Sequence, residues 1–194
     1  MNQFTESYWT HRYKQNDAGW DAGSITTPLK EYIDQLTDKT ISILIPGAGN
    51  GYEAEYLWDN GFKNVTVMDI SPEPIQNIKK RIPSFPPKQL LTADFFEHTG
   101  NYDLIIEQTF FCALDPSLQS AYVAQMNKLL KHGGKLVGLL FTEPLHTTSP
   151  PFALTKENYM QLFHTHFKIQ TLETCYNSIK PRKGRELFMI LQKD

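Results

Sequence analysis

Short apolar runs alternate along the chain with segments whose apolar residues recur at helical spacing. Ile41–Ile45 reads as a strand and Tyr52–Asn60 as a helix, followed by a second strand over Asn64–Asp69. Ser71-Pro72 places an N-cap hydroxyl before a proline at the first helical position. Ile75, Ile78 and Ile82 then fall on one helix face. Gln89–Thr92 is a short third strand and Tyr102–Gln108 a fourth. Asp115-Pro116 opens the next helix, whose stripe is Leu118, Tyr122, Val123, Met126, Leu129 and Leu130, and Gly133-Gly134 is expected to stop it. Lys135–Phe141 is continuously apolar, as suits a parallel strand covered on both faces.

This alternation predicts βαβ units and a doubly wound, Rossmann-like α/β sheet. Lys168–Thr174 and Arg185–Gln192 look like two strands with no helix between them, an antiparallel pair that completes seven strands. Phe4–Tyr13 and Pro28–Leu36 read as two helices ahead of the sheet, with the sheet's rim as their only obvious partner.

Composition narrows the class. The 194 residues are 40% hydrophobic and 21% charged, an ordinary globular balance for one domain. The formal charge of −2, with no lysine/arginine run that stands out, argues against a nucleic-acid surface. No apolar run approaches a membrane span, and the polar, aromatic N-terminus lacks the apolar core of a signal peptide. Cys112 and Cys175 read as reduced thiols. A cytoplasmic monomer acting on a small molecule is the expectation.

The chemistry concentrates at strand ends. The first strand runs into Pro46-Gly47-Ala48-Gly49-Asn50-Gly51 and then a helix. Open α/β sheets bind ligands at the carboxyl ends of their strands, where glycines let a ligand approach the backbone. A dinucleotide fold asks for G-x-G-x-x-G, but Tyr52 occupies the third glycine's place and the glycine falls at Gly51. The resulting G-x-G-x-G spacing is that of S-adenosylmethionine (SAM) enzymes. Asp69 ends the second strand 22 positions after Gly47, about where a ribose-binding acid is expected. Asp94-Phe95 follows the third strand, a carboxylate and a ring suited to an adenine. Blander roles exist for each: turn glycines, a helix-capping Asp69, a loop acid at Asp94.

These residues resemble class I SAM-dependent methyltransferases. Trp9, Tyr13 and Trp20, followed by Asp21-Ala22-Gly23, are similar to the aromatic N-terminal segment of the thiopurine methyltransferase superfamily. Tyr102–Leu114, Ser149-Pro150-Pro151-Phe152 and Pro181-Arg182-Lys183-Gly184 resemble its thiol/halide (thiocyanate) branch. The resemblance implies cofactor contacts from Trp9, Trp20, Gly47, Asp69, Asp94 and Phe95, joined here by Tyr13, Gly49, Glu107 and Gln108. It implies an acceptor site around Pro151, Phe152 and Arg182. Tyr13 stands where that branch has tryptophan. Gln108 stands where it has tyrosine and where thiopurine enzymes have arginine, and Ser149 replaces a glycine. Residues 1–38 would form a helical lid whose aromatic faces attract the sulfonium. Glu107 is the candidate for the SAM amino group.

The implied activity is in-line methyl transfer to a soft nucleophile: a thiol, thiopurine, halide, thiocyanate or chalcogen. No catalytic base is nominated, because the methyl group is already activated and the protein's task is positioning. The rivals are an NAD(P)-binding oxidoreductase and a methyltransferase of another small-molecule or macromolecular acceptor. His164-x-His166 reads as a helix end and loop rather than a metal site, and no metal is expected. Cys112 reads as packed core and Lys79-Lys80-Arg81 as a solvated helix face.

Overall fold

The computed structural model describes residues 3–143 and 148–194. Two helices, α1 (Glu6–Lys14) and α2 (Thr27–Asp34), precede the sheet. Then come β1 (Ile43–Pro46), α3 (Tyr52–Asp59), β2 (Val65–Asp69), α4 (Pro72–Arg81), β3 (Leu90–Thr92), β4 (Tyr102–Gln108), α5 (Gln119–Leu129), β5 (Leu130–Phe141), α6 (Lys156–Phe163), β6 (Lys168–Thr174) and β7 (Glu186–Gln192). The strand order is β3-β2-β1-β4-β5-β7-β6. All neighbours pair in parallel except β7, which is antiparallel to both β5 and β6. The chain leaves β1 toward one edge and resumes at β4 on its other side. The β1/β4 seam is therefore the topological switch, where ligands of such sheets sit.

The apolar runs are buried on both faces by simple alternation. Ile43, Ile45, Val65, Val67, Leu104 and Ile106 face one layer, packed against Leu29 and Ile33 of α2, Leu57 of α3 and Ile75 and Ile78 of α4. Leu44, Met68, Ile105 and Leu136 face the other, against Tyr122, Met126 and Leu129 of α5 and Tyr159 and Phe163 of α6. Each such side chain contributes roughly 1.5–3 kcal/mol on leaving water. Helix α4 starts as its sequence predicts: the Ser71 hydroxyl accepts the Glu73 N–H at 3.3 Å, with Pro72 in the first turn. Asp115 likewise caps the Ser117 N–H, but it opens a 3-10 turn over Pro116–Leu118 that leads into α5.

One expectation fails. Gly133-Gly134 does not stop a helix: α5 ends at Leu129 and β5 begins at Leu130, so the glycines lie within the strand. Gly133 turns the backbone through a φ of 76° beside the irregular pairing of Tyr102 and Leu104 with β5. Such an interruption is a bulge's use of glycine rather than a helix's. The N-terminal helix is also unlike the others, since none of its residues is buried. It is held by polar and ring contacts: Thr10 Oγ1 lies 2.8 Å from Ser71 Oγ, and Lys14 pairs with Glu73 at 3.6 Å. No helix of the described residues is long and apolar enough to cross a membrane.

Gly138 of β5 pairs with Glu107 of β4, and an added Cβ would lie 2.2 Å from the Glu107 carbonyl oxygen. Both atoms are in strand interiors and neither can retreat. Gly138→Ala should cost about 2–3 kcal/mol in urea denaturation, the range for an overpacked core.

Candidate active site

A cavity of about 600 Å³ opens at the carboxyl end of the β1/β4 seam, under α1 and the loop that follows it. Its floor is the glycine turn after β1. Gly47, Gly49 and Gly51 all have left-handed φ, 55°, 52° and 64°, which only glycine adopts at little cost. The turn's amides are largely committed within the protein. The Ala48 N–H donates to the Met68 carbonyl at 3.0 Å, and the Gly51 N–H to the Ala48 carbonyl at 2.9 Å. The Gly49 N–H donates to Asp69 Oδ2 at 3.0 Å. Asp69 Oδ1 accepts the Ser71 N–H at 2.9 Å. Asp69 thus braces the turn and the start of α4, and it also lines the cavity with lone pairs to spare.

The lining suits a cation-bearing nucleoside rather than a pyrophosphate. Asp21, Glu53, Asp69 and Asp94 all contribute to it. Asp21 sits against the turn, accepting from the Asn50 amide and the Tyr52 hydroxyl. A pyrophosphate here would meet carboxylates and already-used N–H groups. A sulfonium meets rings: Trp20 is edge-on to Trp9 at 5.4 Å and to Tyr13 at 5.5 Å. Trp20 already attracts one cation, the Arg12 guanidinium 4.7 Å from its centre. Trp9, Tyr13 and Trp20 are all only half-covered. Phe95 is buried against Phe96 and Phe110, and Asp94 caps the Phe96 N–H at 2.9 Å.

Glu107 is not where the sequence puts it. It is fully buried, does not line the cavity, and accepts the Phe110 N–H at 2.8 Å, the Phe111 N–H at 3.1 Å and the Tyr122 hydroxyl at 2.5 Å. Successive strand residues face opposite sides, so Gln108 meets the cavity and Glu107 cannot. Its carboxylate instead holds the turn after β4, in which Thr109 takes a φ of 60°. That is a strained conformation for a β-branched residue, of the kind stored at functional sites. Phe152 also stands behind the wall: its ring packs on Phe4 at 5.6 Å and its N–H donates to the Cys112 carbonyl at 2.8 Å. Pro151 and Arg182 do line the cavity. Arg81 is not simply solvated, because it pairs with Glu55 and donates to the Asn50 carbonyl under the glycine turn. His164 sits at the end of α6, exposed.

Two polar groups the sequence did not connect meet at Gln108. The Thr26 hydroxyl donates to Gln108 Oε1 at 2.9 Å, which fixes the amide so that Nε2 is a buried donor with no partner. The N-cap position of Thr26 without a cap bond is the trace of that role. Arg182 presents a second unpaired buried donor. Its Nη2 donates to the Trp20 carbonyl at 2.7 Å, while Nη1 stands 3.6 Å from Glu186 and bonds nothing. Cys112 is buried in the same wall, and burial pushes its thiol well up, so it is no nucleophile.

Burial also raises the carboxylic acids: Asp69 to about 6, Glu53 and Glu107 to about 7. The folded protein therefore holds protons that the unfolded chain has lost by pH 5. Unfolding releases them, so stability falls as pH rises from about 4 to about 7. Urea unfolding should give a stability at pH 8 about 2 kcal/mol or more below that at pH 5. Asp69→Asn should flatten that slope.

The comparisons with known proteins agree with this geometry. The family model for thiopurine S-methyltransferase matches residues 4–191. A probable thiol methyltransferase 2 of Arabidopsis thaliana is 27% identical over 192 residues, 96% of this chain and 84% of that protein. Thiocyanate methyltransferase 1 of Brassica oleracea is 28% identical over 187 residues, 93% of this chain and 82% of that one. Among solved structures, the Burkholderia thailandensis 1,6-didemethyltoxoflavin-N1-methyltransferase with bound S-adenosylhomocysteine superposes with a TM-score of 0.78 at 18% identity, covering 97% of this chain and 86% of that one. That likeness is one of fold. The chain belongs to the thiopurine S-methyltransferase family and is a SAM-dependent methyltransferase.

Proposed function

We propose that the protein methylates a small soft nucleophile, a thiol, thiopurine, halide, thiocyanate or chalcogen, that is held as an anion against Arg182 and Gln108. The observation that carries this is that two residues lining one cavity, Arg182 and Gln108, each keep a buried donor atom, Nη1 and Nε2, without a hydrogen bond. An unmade hydrogen bond of that kind costs about 1–3 kcal/mol each and is kept where a ligand completes it. Both relatives named for their acceptors, a thiol and thiocyanate, act on species of this chemistry.

Trp9, Tyr13, Trp20, Gly47, Gly49, Asp69, Asp94 and Phe95 are the residues assigned to SAM, which when bound supplies a methyl group on a sulfonium. Asp69 receives the ribose hydroxyls, Asp94 the adenine amine, and Phe95 covers the ring. The aromatic segment covers the cavity and excludes water, and Pro151 narrows the acceptor side. Residues 1–38 act as a lid on a single domain of 194 residues. The absence of a lysine/arginine run that stands out supports a small acceptor rather than nucleic acid, and a cytoplasmic monomer is the accompanying reading.

An acceptor panel tests the proposal. Incubation with SAM and iodide, thiocyanate, hydrosulfide, an alkyl thiol or a thiopurine should yield the methylated product of at least one. A protein that binds SAM and methylates none of them contradicts it. Two variants locate the halves of the site. Asp69→Ala should weaken SAM binding by about 1.5–3 kcal/mol in calorimetry. Gln108→Leu should raise KM for an anionic acceptor about tenfold, with SAM affinity nearly retained.

A further inference from the structure

The acceptor reading leaves one buried ionisable group without a task. Glu53 sits in the first turn of α3, two residues beyond Gly51, 5% exposed, with its side chain on the cavity. Its carboxylate accepts its own backbone N–H, and among the described residues no side chain donates to it. The charges that act on it are Arg182, from the link between β6 and β7, and Asp21, from the loop after α1. Farther along the same cavity stand Asp69 of β2 and Arg185.

The charge balance around Arg182 is uneven. This one guanidinium faces Glu186, 2% exposed and 3.6 Å away, and also acts on Glu53. One cation cannot keep two buried carboxylates ionised at little cost. Glu186 has the closer ion-pair contact, although burial raises its proton affinity as well, whereas Glu53 has no such contact and Asp21 adds to its burden. Burial raises its affinity for a proton until it exchanges near neutral pH, at about 7, where a general base is most effective.

We propose that Glu53 is a catalytic general base that deprotonates protic acceptors, thiols foremost, at the Arg182 end of the cavity. The inference rests on the acceptor reading above. In the step, the acceptor S–H bond breaks, its proton forms an O–H bond on the Glu53 carboxylate, and the electron pair stays on sulfur. Arg182, relieved of one negative charge, now faces the thiolate instead. The thiolate takes the methyl group, the electrons of the broken C–S bond remain on the leaving sulfur, and the Glu53 proton passes to solvent. A halide has no proton to lose and needs no such step. A cysteine-like thiol of pKa about 8.5 is only about 3% thiolate at pH 7, so a base that supplies the rest is worth up to about thirtyfold.

The experiment compares 2-mercaptoethanol with iodide. Glu53→Gln should lower the ratio of thiol to iodide kcat/KM at pH 7 by tenfold or more. It should also replace the inflection near pH 7 in the thiol profile with a rise that follows the thiol's own ionisation. Glu53→Asp, which keeps the carboxylate, should recover part of the ratio. A second readout needs no turnover. Thiol binding to the S-adenosylhomocysteine complex, followed by calorimetry in buffers of different ionisation enthalpy, should release clearly fewer protons to buffer in the wild type than in Glu53→Gln, which releases about one. An unchanged ratio, a parallel loss with both acceptors, or equal proton release in both proteins overturns the proposal. A wild-type protein that methylates neither acceptor while binding SAM overturns the acceptor reading itself, and the base with it.

Discussion

The Asp69 carboxylate accepts the Gly49 N–H at 3.0 Å with one oxygen and the Ser71 N–H at 2.9 Å with the other, in a setting where it is 6% exposed. Three elements meet at that group: the turn after β1, the end of β2 and the start of α4. A fourth is attached through Ser71, whose hydroxyl reaches Thr10 of α1. Burying an anion is costly, and the cost appears as an affinity for protons raised to about 6. Backbone N–H groups offset part of it, and the ribose hydroxyls of a bound nucleoside are suited to offset more. The same carboxylate therefore shapes the apoprotein's floor and makes that floor receptive to a ligand.

Charge divides the cavity. Acids collect around the glycine turn, where the amides are already spent, and half-covered rings stand over them. This combination repels a pyrophosphate and favours a sulfonium. Gln108 and Arg182 add donors to the same lining, each with a buried atom that makes no hydrogen bond. The covering helix α1 buries nothing of its own and is held by Thr10, Lys14 and ring edges. Arg182 also grips the loop beyond it through the Trp20 carbonyl. An element so attached has few buried contacts to lose on local opening.

The middle of the sheet was legible in the sequence because its strands are buried on both faces. Ile41–Ile45 was read close to β1, and the bounds of β4 and β6 were read as they stand. The strand-end position of Gly47, Gly49, Asp69 and Asp94, all on the cavity, was legible because turn chemistry constrains them locally. Glu107 was misread because its role depends on which face of β4 it occupies and on Tyr122, 15 residues away. Gly133-Gly134 was misread because a glycine pair marks a bulge as readily as a helix end. Thr26 and Gln108, 82 positions apart, are joined only by the fold. Nothing in the sequence singles out Glu53, whose burial is set by the fold.

The central claim is that this strand-end floor is built for SAM and not for a dinucleotide. Titration calorimetry of the protein with SAM and, separately, with NAD tests it most directly. One equivalent of SAM should bind, with no measurable heat from NAD. Binding of NAD without binding of SAM would contradict the account.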